Sequence, residues 1–171
     1  AYREMLFTTK GLEEAVSGVI LFDETLRTAA SDGTQFSQVL SKKGIMPGIK
    51  VDKGPVDIPG FPGETVTEGL DGLRARVKEY RELGAKFAKW RAVITIGDGI
   101  PTYTCLQANA HALARYAALC QEGGIVPIVE PEVLLDGNHT IERCEEVTQE
   151  ALQITFSVLL EQRVHLEGTI F

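Results

Sequence analysis

Three pairs of charged residues stand inside runs that are otherwise apolar. Lys50 and Asp52 lie in the run from Pro47 to Asp52, and Lys89 and Arg91 in the run from Phe87 to Val93. Glu130 and Glu132 lie at the end of the run that starts at Ile125. Each pair is spaced i, i+2, which points both side chains to one side of a β-strand. Each also falls towards the C-terminal end of its run, where α/β folds bind ligands and barrels gather catalytic side chains. Charges in such places are costly to bury unless they pair with one another or with a ligand. Three cations and three carboxylates meeting at one mouth balance each other, and are expected to leave cations free for phosphate. A lysine among other cations has a lowered pKa, one route to a nucleophilic amine. A carboxylate among lysines can pass protons as general acid or base. One such pair alone reads equally well as a solvated strand edge, since charged residues are mostly exposed. Three pairs at matching places in successive strands favour a shared cavity. Pro131 is expected to keep Glu130 extended before the chain turns.

Other chemistries have less support. His111, His139 and His165 are scattered singly, so no metal site is expected. No P-loop, G-x-G-x-x-G or G-x-S-x-G motif occurs, and Gly97-Asp98-Gly99 reads as a turn. Cys105, Cys120 and Cys144 are odd in number, form no C-x-x-C pair and fall on helical patterns. Reduced thiols and a cytoplasmic setting are the expectation. The net charge of -7 disfavours nucleic acid as a partner. It leaves an anionic substrate open, because a few pocket cations outweigh the global sign locally. No stretch reaches the ~18 to 20 apolar residues of a membrane span, so no membrane partner is expected. The start, Ala1-Tyr2-Arg3-Glu4, resembles no signal peptide. Asn138-His139-Thr140 fits a sequon but reads better as a turn before a helix.

The elements that must position these charges alternate. Five strand-like runs cover Ser17 to Phe22, Pro47 to Asp52, Phe87 to Val93, Ile125 to Glu130 and His165 to Phe171. Helical stripes run through Val66, Leu70, Leu73, Val77 and Tyr80, through Leu106, Ala110, Leu113, Ala117 and Cys120, and through Ile141, Cys144, Val147, Ala151, Ile154 and Val158. Gly84 and Gly123-Gly124 end two of the helices, and Asn138 or Thr140 caps the third. Gly54 to Gly63, with Pro55, Pro59 and Pro62, reads as a loop, and Phe61 to Thr65 leads into a helix. The alternation predicts an α/β fold with a parallel sheet. Five units in 171 residues suit either a flavodoxin-like sheet with a phosphate-binding role or about half of a (β/α)8 TIM barrel. Phe171 closes an apolar strand, which favours a fragment of something larger.

These motifs resemble class I, Schiff-base-forming fructose-bisphosphate aldolases. The resemblance is carried by Val19-Ile20-Leu21-Phe22-Asp23-Glu24-Thr25-Leu26, Pro47-Gly48-Ile49-Lys50-Val51-Asp52-Lys53-Gly54 and Glu68 to Leu73. It continues through Phe87-Ala88-Lys89-Trp90-Arg91, Ile125 to Glu132 and His165 to Phe171, in the family's order. It implies that residues 1–171 are the central portion of one barrel domain, about strands 2 to 6, with both ends truncated. It implies reversible cleavage of fructose 1,6-bisphosphate to dihydroxyacetone phosphate and glyceraldehyde 3-phosphate, in glycolysis and gluconeogenesis. It also implies a cytoplasmic homo-oligomer, a tetramer in the family, with no cofactor and no metal. By the same resemblance Glu130 is the general acid/base and Lys89 the cation beside the reacting centre. Lys50 and Arg91 contact substrate, Glu132 and Asp52 orient and balance the lysines, and Lys53 is solvated. The Schiff-base lysine is expected directly after Phe171, so the chain alone is expected to have no turnover.

Overall fold

The computed structural model describes residues 2–171; Ala1 of the opening tetrapeptide lies outside them. The chain runs through helices α1 (Tyr2–Thr8) and α2 (Leu12–Ala15), strand β1 (Gly18–Leu21), and helices α3 (Asp23–Leu26) and α4 (Phe36–Lys42). Strand β2 (Met46–Lys50) and the strand pair β3 (Gly54–Asp57) and β4 (Thr65–Glu68) follow. Then come helix α5 (Leu73–Glu82), strand β5 (Phe87–Ile94), helix α6 (Tyr103–Glu122), strand β6 (Val126–Val133) and helix α7 (Ile141–Glu161). A 3-10 turn, Leu166–Gly168, comes last.

One parallel sheet takes the order β1-β2-β5-β6, and β3 pairs antiparallel with β4 beside it. Spatial order equals chain order, so every crossover steps the same way and the connecting helices gather on one face. A flavodoxin-like sheet reverses its stepping direction; the described strands do not. This is the winding of a barrel segment.

Strand β5 shows how the two faces differ. Ala88, Trp90, Ala92 and Ile94 are buried towards the helices, while Phe87, Lys89, Arg91 and Val93 are half-buried on the other side. From α6, the buried Tyr116 places its ring 5.4 Å from that of Trp90. Its hydroxyl lies 2.7 Å from the Ala88 carbonyl and 3.2 Å from that of Ile128. The expected α6 stripe, Leu106 to Cys120, is wholly buried. Thr102 and Thr140 cap α6 and α7, each hydroxyl accepting a backbone N–H from three residues on, at 3.3 Å.

Several expectations need correction. The run His165 to Phe171 is not a strand throughout. The Gln121 side-chain amide donates to His165 O (2.7 Å) and accepts from His165 N (2.9 Å), favouring a turn there. Only Ile170 bridges to Ile128 of β6. The segment after Gly54 is not all loop: β3 forms across Pro55, which an edge strand tolerates. Phe61 to Thr65 therefore leads into β4 and not into a helix. Val66 and Leu70 drop out of the first helical stripe, because Gly69 (φ +133) and Gly72 (φ +64) break the chain before Leu73. Gly69 also passes so close to Asp52 and Lys53 that a Cβ there would meet Asp52 Cα at 3.1 Å. Finally, the chain does not turn after Pro131; β6 continues to Val133. The proline's missing N–H falls on the side where Val129 N reaches Ile170 O, so the ladder to β5 survives.

On the half-buried face Gly48 is registered beside Phe87, whose ring lies over the space a Gly48 side chain would fill. Gly48→Ala is expected to destabilise the fold by about 1–3 kcal/mol through overpacking. Adding Phe87→Leu is expected to recover most of it. Denaturant melts of both variants check this, and a Gly48→Ala variant as stable as the parent contradicts the packing.

Candidate functional site

The side of the sheet away from the helices is layered along the strands. Its lower layer, near the strand starts, is apolar. Gly18, Ile20, Met46, Phe87, Val126 and Ile170 line a shallow cavity of about 410 Å³ there. Above it the register aligns Lys50 with Lys89, then Arg91 with Glu130, then Val93 with Glu132. Lys50, Lys89, Arg91, Glu130 and Glu132 therefore share one face of three adjacent strands, all but Lys89 in the C-terminal half of their strand. Asp52 lies two residues beyond the end of β2 and turns back towards them.

The six charges form three ion pairs. Lys50 Nζ meets Asp52 Oδ1, Lys89 Nζ lies 3.0 Å from Glu130 Oε1, and Arg91 Nε meets Glu132 Oε2. The expectation of cations left over for phosphate is corrected: each of the three already has a carboxylate. An incoming anion must therefore exchange with one. Arg91 and Glu132 are the most open pair, with side chains 43% and 36% exposed, whereas the Asp52 side chain is 2% exposed. Asp52 is anchored on its other sides, accepting the Gly54 N–H at Oδ1 (3.1 Å) and the Arg91 N–H at Oδ2 (3.5 Å). Glu130 differs. Its Oε2 is buried and has no hydrogen-bond partner among the described residues. A buried carboxylate oxygen without a partner is an acceptor left without its donor. Lys53 is exposed.

The guanidinium of Arg91, hydrogen-bonded to Glu132, holds that carboxyl below the ordinary glutamate range; partial burial opposes this and Lys89 adds to it. The same bond raises the Arg91 pKa. The thiols offer no alternative nucleophile here. Burial, aided by the Glu64 carboxylate, pushes Cys105 up to about 11, and burial pushes Cys120 up to about 12. Among the described residues no three His, Cys, Asp or Glu side chains gather as a metal-binding group. A larger groove of about 690 Å³, between the β3–β4 pair and α6, is lined by Lys53, Glu68, Asp71, His111 and Arg115 among others and contains none of the six charges. Convergence of charge on one face, and not groove size, marks the site.

Sequence reasoning missed the residues that fasten the upper end of β5. Thr67 donates its hydroxyl to Arg91 O at 2.8 Å, and Thr65 donates to Val93 O at 3.3 Å. Asn109, 1% exposed on α6, accepts from Thr67 N and donates to Thr65 O. The available signal was an amide beside the apolar stripe of α6, at a position one residue before Ala110.

Three comparisons bear on this arrangement. The family described as fructose-bisphosphate aldolase class-I matches residues 1–171. A probable fructose-bisphosphate aldolase class 1 of Xanthomonas campestris pv. campestris is 63% identical over 170 residues, covering 99% of the chain and 51% of the relative. The cytosolic fructose-bisphosphate aldolase 6 of Arabidopsis thaliana is 54% identical over 99% of the chain and 48% of its own length. A solved fructose-bisphosphate aldolase from Plasmodium falciparum superposes with a TM-score of 0.95 at 50% identity, over 98% of this chain and 49% of that one. The chain thus spans about half the length of the relatives it matches, and its sheet is part of a barrel.

The Arg91–Glu132 bond gives a direct test. Glu132 contributes to stability above its unfolded pKa, and the contribution is lost as pH falls through its lowered folded value. Arg91→Met is expected to raise the Glu132 titration midpoint, measured by carboxyl NMR, and to make the acid-side loss of stability smaller. An unmoved midpoint contradicts the pairing.

Proposed function

Because this chain belongs to the class-I fructose-bisphosphate aldolase family, we propose that it carries the phosphate-facing and proton-transferring half of an aldolase active site. In this reading residues 1–171 are the central portion of one (β/α)8 barrel domain. The whole polypeptide reversibly cleaves fructose 1,6-bisphosphate to dihydroxyacetone phosphate and glyceraldehyde 3-phosphate, in the cytoplasm and as a homo-oligomer, a tetramer by family resemblance. The step serves glycolysis and gluconeogenesis.

The difficult step is breaking C3–C4, which leaves an electron pair on C3. An amine that adds to the C2 ketone gives a carbinolamine. Loss of its hydroxyl as water needs a proton donor, and gives an iminium that accepts the electron pair of the broken bond. Glu130 is the proposed proton carrier. The single observation that carries this is the unpartnered, buried Oε2 beside the Lys89 bond at Oε1: one oxygen is charge-balanced and the other has no donor, so a proton can be held there. The Ile128–Ile170 bridge also favours it. That register sends the position following Phe171 opposite Glu130, on the same side of the sheet, where the Schiff-base amine is proposed. Lys89, 3.0 Å from Glu130, balances charge as the carbinolamine loses water. Arg91 and Lys50 take phosphate or hydroxyl oxygens by exchanging their carboxylate partners. Glu132 and Asp52 hold those cations extended until substrate arrives.

In the full-length polypeptide, Glu130→Gln is expected to lower kcat by roughly 10²- to 10⁴-fold, the usual worth of a positioned acid/base. It should also slow the appearance of a borohydride-reducible adduct with dihydroxyacetone phosphate. Lys89→Met is expected to lower kcat by at least as much as KM rises. Full turnover in Glu130→Gln would remove Glu130 from the chemistry.

A further inference from the structure

Strand β2 stops pairing with β5 at Lys50–Lys89; the last ladder bond runs from Val51 N to Lys89 O, at 3.1 Å. Beyond it the Val51 carbonyl is taken by Arg76, at 2.9 Å. The peptide groups of Arg91 and Val93 that face this side therefore have no neighbouring strand, although Arg91 is a proposed substrate contact. Side chains fill the vacancy. The Asp52 carboxylate takes the Arg91 N–H, and the Thr67 and Thr65 hydroxyls donate to the Arg91 and Val93 carbonyls. Thr67 is 2% exposed, so little water competes for its hydroxyl.

The threonines are themselves held. Asn109 presents its amide to β4 as a strand would, accepting the Thr67 N–H at 3.1 Å and donating to the Thr65 carbonyl at 2.8 Å. A second donation, to Cys105 O at 3.0 Å, fixes the amide plane on α6. The line from α6 through β4 to the Arg91 carbonyl is thus made of buried and part-buried hydrogen bonds. On the other side of that peptide, Asp52 shares Oδ1 between Lys50 and Gly54. On its β2 side the backbone that aims Arg91 is pinned by Thr67 of β4 and by Asp52, and on its other side by the ladder to β6.

We propose that Thr67, locked by Asn109, is a positioning residue that sets the reach of Arg91 towards the substrate's phosphate. This rests on the aldolase reading above. Arg91 binds an oxyanion in the ground state and the transition state alike, so its displacement should appear in KM and not in kcat.

The test is a double-mutant cycle in the full-length polypeptide with fructose 1,6-bisphosphate. Thr67→Val keeps the shape and removes the hydroxyl; it is expected to raise KM on the order of tenfold while kcat stays within about twofold. Thr67→Ser, which keeps the hydroxyl, is expected to restore KM. Arg91→Met is expected to raise KM as well, and Thr67→Val added to it should raise KM no further, because both act through one contact. If Thr67→Val does not fold, Thr67→Ala takes its place. Additive effects, an unchanged KM in the Thr67 variant, or a loss confined to kcat overturns the positioning role while leaving the aldolase reading in place. An Arg91→Met enzyme with unchanged KM removes Arg91 from substrate binding, and overturns the positioning proposal with it.

Discussion

A parallel sheet can carry six ionised side chains on one face only if each charge meets its opposite within the reach of a side chain. Here the register does this. Sliding β6 by one residue against β5 would send Glu130 and Glu132 to the helix side, among Trp90 and Tyr116. There a carboxylate costs several kcal/mol (on the order of the penalty for any unpaired buried ion). The tight side of the sheet therefore fixes the open side. The buried contacts of Ala88, Trp90 and Tyr116 hold the alignment, and the ion pairs follow from it. Because the pairs are partly exposed, they add little to stability. Their value lies in keeping three cations extended and separate, ready to trade partners.

The charged pairs were legible because a strand has a period of two, and lysine or glutamate at i and i+2 of an apolar run has no easy structural explanation. The same rule put Lys89 with Arg91, and Glu130 with Glu132, on one side of their strands. The helices α6 and α7 were legible for a similar reason: long apolar stripes at helical spacing leave few alternatives. Family motifs added the barrel, which periodicity alone left open against a doubly wound sheet.

What remained hidden depends on contacts between segments far apart in the chain. Strand β3 looked like loop because Pro55, Pro59 and Pro62 punctuate its surroundings, and β4 looked like the start of a helix; Asn109, more than forty residues later, supplies an outer edge for β4. The segment before Ile170 was read as strand together with Ile170 and Phe171, but the amide of Gln121 closes it into a turn. Asp52 was read as part of a strand by spacing, yet it works as a substitute for one. Neutral hydrogen bonds of this kind leave almost no trace in a single sequence, whereas charges in apolar runs do.

The burial of the thiols on α6 has a consequence for how the protein meets oxidants and alkylating reagents. With pKa values pushed up to about 11 and about 12, Cys105 and Cys120 hold a thiolate fraction at neutral pH on the order of one part in 10⁴ or less. Peroxide and maleimide act on the thiolate, so the helix behind the site is chemically quiet although it carries two sulfurs. Cys144, half-buried on α7, is the least buried of the three thiols, and a probe attached there sits on the helix side of the sheet, away from the charged face.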